Sequence, residues 1–220
     1  MFEWIIEADK AIIVEINSWH TPRLDDFFYI FTGQKIWFLS AIFIIFFIIK
    51  TYRLRALWIL LAVALVITLA DQISSGLIKP LVERLRPSYE PSLEGALDFV
   101  RGYRSGGYSF VSSHAANSFG FALLSSLMFR NRLYSWTIHI WACLTGFSRI
   151  YLSVHYPSDV VAGALVGILG AWAVYWLLKM TRPLILDNTM SQSYAKLVSG
   201  IMLLTSLVIL LFGNSLVFLR

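Results

Sequence analysis

Residues 148–159 read SRIYLSVHYPSD and follow a long run of apolar residues. They place a guanidinium (Arg149), an imidazole (His155) and a carboxylate (Asp159) at the end of a segment long enough to cross a membrane. Pro157 is well tolerated in the first turn of a helix, so we expect a new helix to begin there. Ionisable groups at membrane depth are costly and usually mark a functional site. The stretch therefore predicts a polar site at one end of a membrane-spanning helix.

The composition is typical of a polytopic membrane protein: 58% of the residues are hydrophobic, 14% are charged and the mean hydropathy is +0.69. A helix needs roughly 17 to 25 apolar residues to cross a hydrocarbon core of about 30 Å. We predict an all-α membrane bundle of about six transmembrane helices, in a single domain over residues 1–220 with the bundle at 28–217. The candidate spans are residues 28–49, 56–78, 113–129, 133–150, 158–178 and 195–217.

The loop charges predict an orientation, because short cytoplasmic loops carry an excess of Lys and Arg. One set of loops holds a group of cations: Lys50, Arg53, Arg55, Arg130, Arg132, Lys179, Arg182 and Lys196. Most acids lie on the opposite side, with residues 148–159. We therefore expect a multi-pass protein of the cytoplasmic (inner) membrane, with the site facing the periplasm or exterior. Topology and the site account for the net charge of +5, and nothing indicates a nucleic-acid partner.

Residues 1–20 are predicted to form an amphipathic helix at the membrane interface. Its expected apolar face includes Ile13 and Ile16, and its expected polar face includes Asn17. Asp9 falls on the apolar side, and the sequence alone does not explain it.

Two further polar blocks lie upstream, also at the ends of apolar segments. In the first, six residues separate Lys79 from Arg86-Pro87. A lysine and an arginine are well suited to holding a phosphate-like anion, although both side chains could also extend to lipid headgroups.

The second block is Ser112-Ser113-His114, at the start of the third span. A helix N-terminus binds anions through its free backbone N–H groups, and Ser112 could cap the helix without any catalytic role. Asp159, four residues after His155, can reach one imidazole nitrogen and leave the other free to attack. It could also be an ordinary acid in a first helical turn. A metal site of His114, His155 and Asp159 is a chemical alternative, which the surrounding cations disfavour.

The three blocks together resemble the signature of the type 2 phosphatidic acid phosphatase superfamily, which reads K-x6-R-P, P-S-G-H and S-R-x5-H-x3-D. The first and third blocks are complete in this chain. The middle block has Val111 in place of the proline and Ser113 in place of the glycine, and it keeps Ser112 and His114.

This resemblance implies hydrolysis of a phosphate ester or anhydride through a phosphohistidine, with neither a metal nor a cofactor. It implies that His155 is the nucleophile, that Asp159 holds it and that His114 is the general acid. The residues expected to bind the phosphoryl oxygens are Lys79, Arg86, Ser112, Ser113, Ser148 and Arg149.

A site at headgroup depth favours a lipid substrate: phosphatidate, phosphatidylglycerol phosphate, undecaprenyl diphosphate or lipid A. Residues 88–110 are long enough to form an outward loop over the site. One hypothesis assigns Arg84, Arg101 and Arg104 to a second phosphate. Two alternatives remain open: a vanadate-dependent haloperoxidase, disfavoured because those enzymes are soluble, and a non-catalytic carrier or flippase, disfavoured by the His155–Asp159 pair. The sequence does not indicate an oligomeric state.

The fifth span carries three glycines, Gly163, Gly167 and Gly170. Small residues in membrane helices allow close backbone approach, so we expect these three to lie in a helix–helix contact.

Overall fold

The polypeptide folds into helices, and the computed structural model describes residues 3–185 and 189–219. No strand forms within these ranges, so the all-α prediction is confirmed. The α-helices are α1 Glu3–Asn17, α2 Pro22–Phe31, α3 Phe38–Tyr52, α4 Ala56–Asp71, α5 Lys79–Val82, α6 Ser113–Phe129, α7 Arg132–Tyr151, α8 Pro157–Thr181 and α9 Gln192–Phe212. A π-helix, Gln72–Ile78, joins α4 to α5. Short 3-10 segments lie at Lys35–Trp37, Arg53–Arg55, Pro87–Tyr89, Pro91–Leu93, Val100–Gly102, Pro183–Ile185 and Gly213–Leu219.

Three helical runs of the described residues are long and apolar enough to cross a membrane. They are Lys35–Leu93, Pro157–Thr181 and Gln192–Leu219. The first run has 59 residues and contains both α3 and α4, with Arg53 at a positive φ of 51° between them. The membrane class is therefore confirmed, whereas the count of about six spans remains a prediction.

The predicted first span, residues 28–49, is not a continuous helix. The helix α2 ends at Phe31, and α3 begins only at Phe38. Gly33 lies in the break, where its conformational freedom disfavours a helix. The break leaves the Thr32 hydroxyl in position to accept a hydrogen bond from Arg149 at 2.9 Å. The first long apolar helix is therefore α3, and not the predicted segment 28–49. The helix α2 lies at the end of the bundle that holds Arg149.

The helices α6 and α8 pack closely because two glycines of α8 face the α6 backbone. A Cβ atom on Gly163 would lie 2.3 Å from the carbonyl oxygen of Ser112, and one on Gly167 would lie 2.0 Å from that of Ala116. The prediction of close packing is confirmed for these two residues. A Cβ on Gly170 would meet no atom of the described part of the chain within 4 Å, so this glycine is not part of the close contact. The contact fixes the N-terminus of α6 beside the N-terminus of α8.

The N-terminal helix α1 is only partly as predicted. Ile13 and Ile16 are buried as expected. Asn17, expected on the polar face, is buried as well, and its amide donates to the Ser153 hydroxyl at 3.0 Å. Asn17 thereby ties α1 to the loop after α7, an interaction that helical periodicity does not reveal. Residues 1–2 of the predicted helix lie outside the described residues.

The basic loops cluster at the end of the bundle opposite residues 148–159. Arg55 donates to the carbonyl of Leu184 at 2.8 Å, and the Arg182 guanidinium lies 4.2 Å from the centre of the Trp58 ring. The helix α7 starts at this end and runs for 20 residues, or about 30 Å, to the other end.

Candidate active site

The third block forms a tight connection between α7 and α8. The backbone N–H groups of Val154 and His155 both donate to the carbonyl of Arg149, at 3.1 and 3.2 Å. Asp159 lies in the first turn of α8, where its Oδ2 accepts from the N–H of Tyr156 at 2.8 Å. Both side chains of the pair are buried, with His155 only 1% exposed. The backbone itself therefore holds the imidazole and the carboxylate next to each other.

The imidazole has different partners on its two nitrogens. Its Nδ1 lies 3.5 Å from Oδ2 of Asp159 and 3.4 Å from the hydroxyl of Ser109, which donates to the same carboxylate. Its Nε2 lies 3.1 Å from Nη1 of Arg86, which can only donate. These partners favour a proton on Nδ1 and a lone pair on Nε2. Burial lowers the pKa of His155 to about 3, so the ring is neutral near pH 7.

Arg86 brings the first block to the third. Its Nη1 also donates to the carbonyl of Val154 at 2.7 Å, and its Nε donates to the carbonyls of Gly106 and Gly107. The side chain is buried, so these contacts fix the guanidinium beside the imidazole. A cation in this position is suited to an anion held against Nε2.

The second block caps α6, as expected for Ser112. Its hydroxyl accepts from the N–H of Ala115 at 3.4 Å, and its own N–H donates to the carbonyl of Asp159 at 3.0 Å. Ser113 and His114 occupy the first turn of α6, where free N–H groups favour an anion. All three blocks therefore meet at one end of the bundle.

Lys79 and Arg149 complete the cluster of cations. Arg149 donates to the hydroxyls of Thr32 and Tyr103, at 2.9 and 3.1 Å. Lys79 is half-buried and lies within electrostatic range of Arg86 and Arg149. The cluster offers three positive charges to an anion at the imidazole.

Ser148 differs from the other residues expected to bind phosphate. Its hydroxyl donates to the carbonyl of Thr145 at 2.6 Å, one turn back in its own helix. The structure therefore directs this hydroxyl at the α7 backbone.

Arg84 does not have the role that the sequence suggested. Its guanidinium donates to Asp159 and to Asp9, both at 2.8 Å, and it stacks on the Tyr156 ring at 4.0 Å. Asp9 also accepts from the N–H of Ser158 at 3.0 Å. Arg84 is thus bound by two carboxylates. The pairing with Arg84 explains why Asp9 lies on the otherwise apolar side of α1.

The other two arginines of that hypothesis also have partners away from the imidazole. Arg101 pairs with Asp26 at 2.7 Å, and Arg104 stacks on the ring of Phe99 at 4.3 Å. The assignment of these arginines to a second phosphate is therefore not supported by their contacts.

Ser109 and Arg84 are the residues of this site whose role the sequence did not indicate. Both contact the carboxylate of Asp159 from a distant part of the chain. Their only signal was their position, inside the first block for Arg84 and three residues before the second block for Ser109, and no spacing rule selects them. As for the metal alternative, no group of three or more His, Cys, Asp or Glu side chains in the described ranges could hold a metal ion.

Comparisons with known proteins agree with this arrangement. A sequence model of the PAP2 superfamily matches residues 55–183, which is more than half of the chain. The chain belongs to this superfamily. A lipid A 4'-phosphatase of Bacteroides thetaiotaomicron is 36% identical over 219 residues, which cover 95% of this chain and 97% of the relative. A lipid A 4'-phosphatase of Porphyromonas gingivalis is 37% identical over 174 residues, which cover 79% of this chain and 74% of that relative.

A solved structure has the same fold. It is the crystal structure of a transmembrane PAP2-type phosphatidylglycerolphosphate phosphatase from Bacillus subtilis, which matches with a TM-score of 0.62 over 82% of this chain and 89% of that one, at 24% identity. The resemblance drawn from the three blocks and the class of membrane phosphatase are therefore confirmed. The relatives named as phosphatases favour hydrolysis over the haloperoxidase and carrier alternatives.

Proposed function

We propose that this protein cleaves the phosphate from a lipid at one end of its helix bundle, with His155 as the nucleophile. The observation that carries the proposal is the environment of the imidazole. Its Nδ1 faces Asp159, and its Nε2 faces the guanidinium of Arg86 within a cluster of cations. A neutral imidazole with a lone pair directed at an anion site is equipped to attack phosphorus.

In the first step, Nε2 of His155 attacks the phosphorus atom, and the bond from phosphorus to the leaving oxygen breaks. The proton for that oxygen comes from a protonated His114 in the first turn of α6, whose charged form the bound phosphate anion stabilises against the neighbouring cations. Lys79, Arg86, Arg149 and the N–H groups at the start of α6 neutralise the charge on the phosphoryl oxygens. The product is a lipid alcohol and a phosphoryl group on Nε2.

In the second step, water attacks the phosphorus and the bond to Nε2 breaks. His114, now neutral, accepts the proton of the water, so that inorganic phosphate leaves and both histidines return to their starting states. Asp159 holds the ring throughout and stabilises the positive charge that develops on it. Ser109 and Arg84 hold Asp159 in turn.

The relatives support a particular substrate, and the loop charges support a particular side of the membrane. The relatives are named lipid A 4'-phosphatases, which makes lipid A the first candidate for this chain. The basic loops lie at the opposite end of the bundle, which supports a site on the outer side of the cytoplasmic membrane by the positive-inside rule. Residues 1–220 form a single domain. Within it, residues 88–110 form an outward loop that covers the site. In support, Gly106, Gly107 and Ser109 of this loop contact Arg86 and the His155–Asp159 pair.

The test is phosphate release by the purified protein from lipid A, phosphatidate, phosphatidylglycerol phosphate and undecaprenyl diphosphate, with and without a chelator. We expect turnover of at least one lipid, no effect of the chelator, and no detectable turnover by His155→Ala. His139→Ala is the matched control, because His139 bonds to the Ser135 carbonyl within α7, away from the site. Quenching the His114→Ala protein with labelled lipid in alkaline detergent should trap a phosphoryl group that is stable in alkali and lost on later acid treatment. Turnover by His155→Ala near the wild-type rate would refute the mechanism.

A further inference from the structure

A cavity of about 530 Å³ opens beside the second block of the site. Ser113 and His114 line one end of it, and residues of α2, α3, α4, α6, α7 and α9 and of the segment between α2 and α3 line the rest. The mechanism uses none of its deeper residues. Such a space next to a phosphoryl site is large enough for part of a lipid.

Four residues that line this cavity carry buried polar atoms with no hydrogen-bond partner among the described residues. They are the hydroxyls of Ser40 and Thr145, the indole N–H of Trp141 and the amide oxygen of Asn117. Ser40 and Thr145 are themselves more than nine-tenths buried. Buried polar atoms are paired in the great majority of cases, so a group of unpaired ones in a single cavity requires an explanation.

The two hydroxyls differ from others in the same bundle. A serine or threonine in a helix ordinarily donates to the carbonyl one turn earlier. Ser125 does so to Phe121 at 2.7 Å, and Thr137 does so to Leu133 at 3.0 Å. Ser40 and Thr145 make no such bond, and their hydroxyls therefore remain available to a ligand in the cavity.

The polar atoms lie between the site and an apolar wall. Thr145 lies one helical turn from Arg149, about 6 Å along α7, and Asn117 lies about 4.5 Å beyond His114 along α6. Deeper in the cavity the lining is mainly apolar, with Ile44, Phe121, Ile138 and Met202, and it also includes Asp71 and Ser118. From the site inward, a ligand would meet cations, then hydrogen-bonding groups, and then hydrocarbon.

We infer that this cavity binds the ester- or amide-bearing linkage of an acylated lipid phosphate, with the acyl chains against the apolar wall. The hydroxyls of Ser40 and Thr145 and the Trp141 N–H donate to acyl carbonyls, and the Asn117 oxygen accepts from an amide N–H or a hydroxyl. In a polyprenyl phosphate, hydrocarbon follows the phosphate directly and would leave all four atoms unpaired. The inference rests on the proposed function and predicts that acylated lipids are its preferred substrates.

The test compares lipids that differ in this linkage. The substrates are lipid A, phosphatidate, the dialkyl ether analogue of phosphatidate and undecaprenyl diphosphate. For Thr145→Val we expect KM for lipid A and phosphatidate to rise about tenfold, as for the loss of one hydrogen bond, with kcat unchanged. On the ether analogue and undecaprenyl diphosphate the change should be less than about twofold. Ser40→Ala should behave in the same way.

The matched control is Ser199→Ala, because Ser199 is a buried serine of α9 whose unpartnered hydroxyl does not line the cavity. It should leave all four substrates unaffected. Equal effects of Thr145→Val on ester and ether lipids, or no effect on either, would overturn the inference.

A separate measurement distinguishes failure of the inference from failure of the proposed function. Thermal stabilisation of the His155→Ala protein by phosphatidate and by its ether analogue reports binding without turnover. We expect stabilisation by the ester lipid, reduced when Thr145→Val is added. If no lipid is hydrolysed by the wild type, the proposed function fails, and this measurement still decides the inference. Equal stabilisation by both lipids would contradict it.

Discussion

The two sides of α6 are built in opposite ways. Against α8, the backbones touch through Gly163 and Gly167, where even a single added carbon would collide with a carbonyl oxygen. Toward α3 and α7, the same helix borders a cavity of about 530 Å³ with unpaired polar atoms. The closed side fixes the groups that act on phosphorus, and the open side admits the molecule that carries it. The same mutation type should therefore have different consequences on the two sides.

The largest expected effect comes from adding one carbon on the closed side. Gly163→Ala places a Cβ against the Ser112 carbonyl and pushes the start of α6 away from α8. A displacement of about 1 Å at a catalytic group can reduce turnover about a hundredfold, and we expect kcat to fall by at least that much. The melting temperature should fall by about 2 to 12 °C, since overpacking costs about 1 to 3 kcal/mol.

Gly170→Ala is the control for that variant, because its Cβ meets nothing. It should leave kcat unchanged and preserve or slightly raise the melting temperature. If the two alanine variants behaved alike, the closed contact would not be what positions the site.

The next effect concerns the support of Asp159. Arg84→Ala removes the guanidinium that pairs with Asp159 and Asp9 and leaves both buried carboxylates without it. We expect kcat to fall about thirtyfold together with a loss of stability, as for other buried pairs that lose one partner. Arg104→Ala, whose guanidinium only stacks on Phe99, should change kcat by less than about twofold. Steady-state kinetics of the two variants on the same lipid provide the measurement.

Ser109→Ala should have a smaller effect. It removes the hydroxyl that donates to Asp159 and leaves the N–H of Tyr156 as a remaining donor to the same oxygen. The loss of one hydrogen bond at a buried carboxylate predicts a fall in kcat of about tenfold. Ser109→Thr keeps a hydroxyl and should restore part of the rate. A rate equal to the wild type in Ser109→Ala would show that the carboxylate is held well enough without this residue.

Stability should depend on pH through His155. Burial lowers its pKa from 6.5 to about 3, so below pH 6.5 the unfolded chain takes up a proton that the folded protein does not. The contribution of His155 to the free energy of unfolding is therefore fully present above pH 6.5. It falls by about 1.4 kcal/mol per pH unit as the pH decreases toward 3. His155→Asn should lose less melting temperature than the wild type between pH 7.5 and pH 5.0. Equal losses in both proteins would contradict this assignment.

The smallest expected effect lies on the open side and has the opposite sign. Ser40→Ala removes a buried hydroxyl that has no partner in residues 3–185 and 189–219, which should raise the melting temperature of the lipid-free protein by about 2 to 4 °C. Gly163→Ala, by contrast, adds one carbon and should lower the melting temperature. A fall in melting temperature with Ser40→Ala would mean that its hydroxyl is already paired.

Much of the bundle could be predicted from local properties of the chain. The predicted third span, residues 113–129, coincides with α6, and Pro157 does begin α8. Apolar length and proline chemistry act on adjacent residues, so a sequence displays them directly. The polar residues 32–35 interrupt the predicted first span, yet the apolar residues on both sides together have the length of a span, so the sequence did not show that the helix stops there.

The supports of the site were harder to predict. Arg84 and Ser109 both contact the carboxylate of Asp159, and Asp9 contacts Arg84 from a third part of the chain. No periodicity links residues so far apart, and only the folded backbone decides that they meet. The glycines of α8 were recognisable as packing residues, although the sequence did not separate Gly163 and Gly167 from Gly170.

The ion pair from Asp9 to Arg84 has a practical consequence for handling the protein. Through two consecutive contacts, the first helix of the chain is joined to the carboxylate that orients the nucleophile. Shortening the chain from its N-terminus past Asp9, or fusing a bulky tag there, should lower the turnover rate of protein that is otherwise well folded. Affinity tags for purification and for surface immobilisation belong at the C-terminal end.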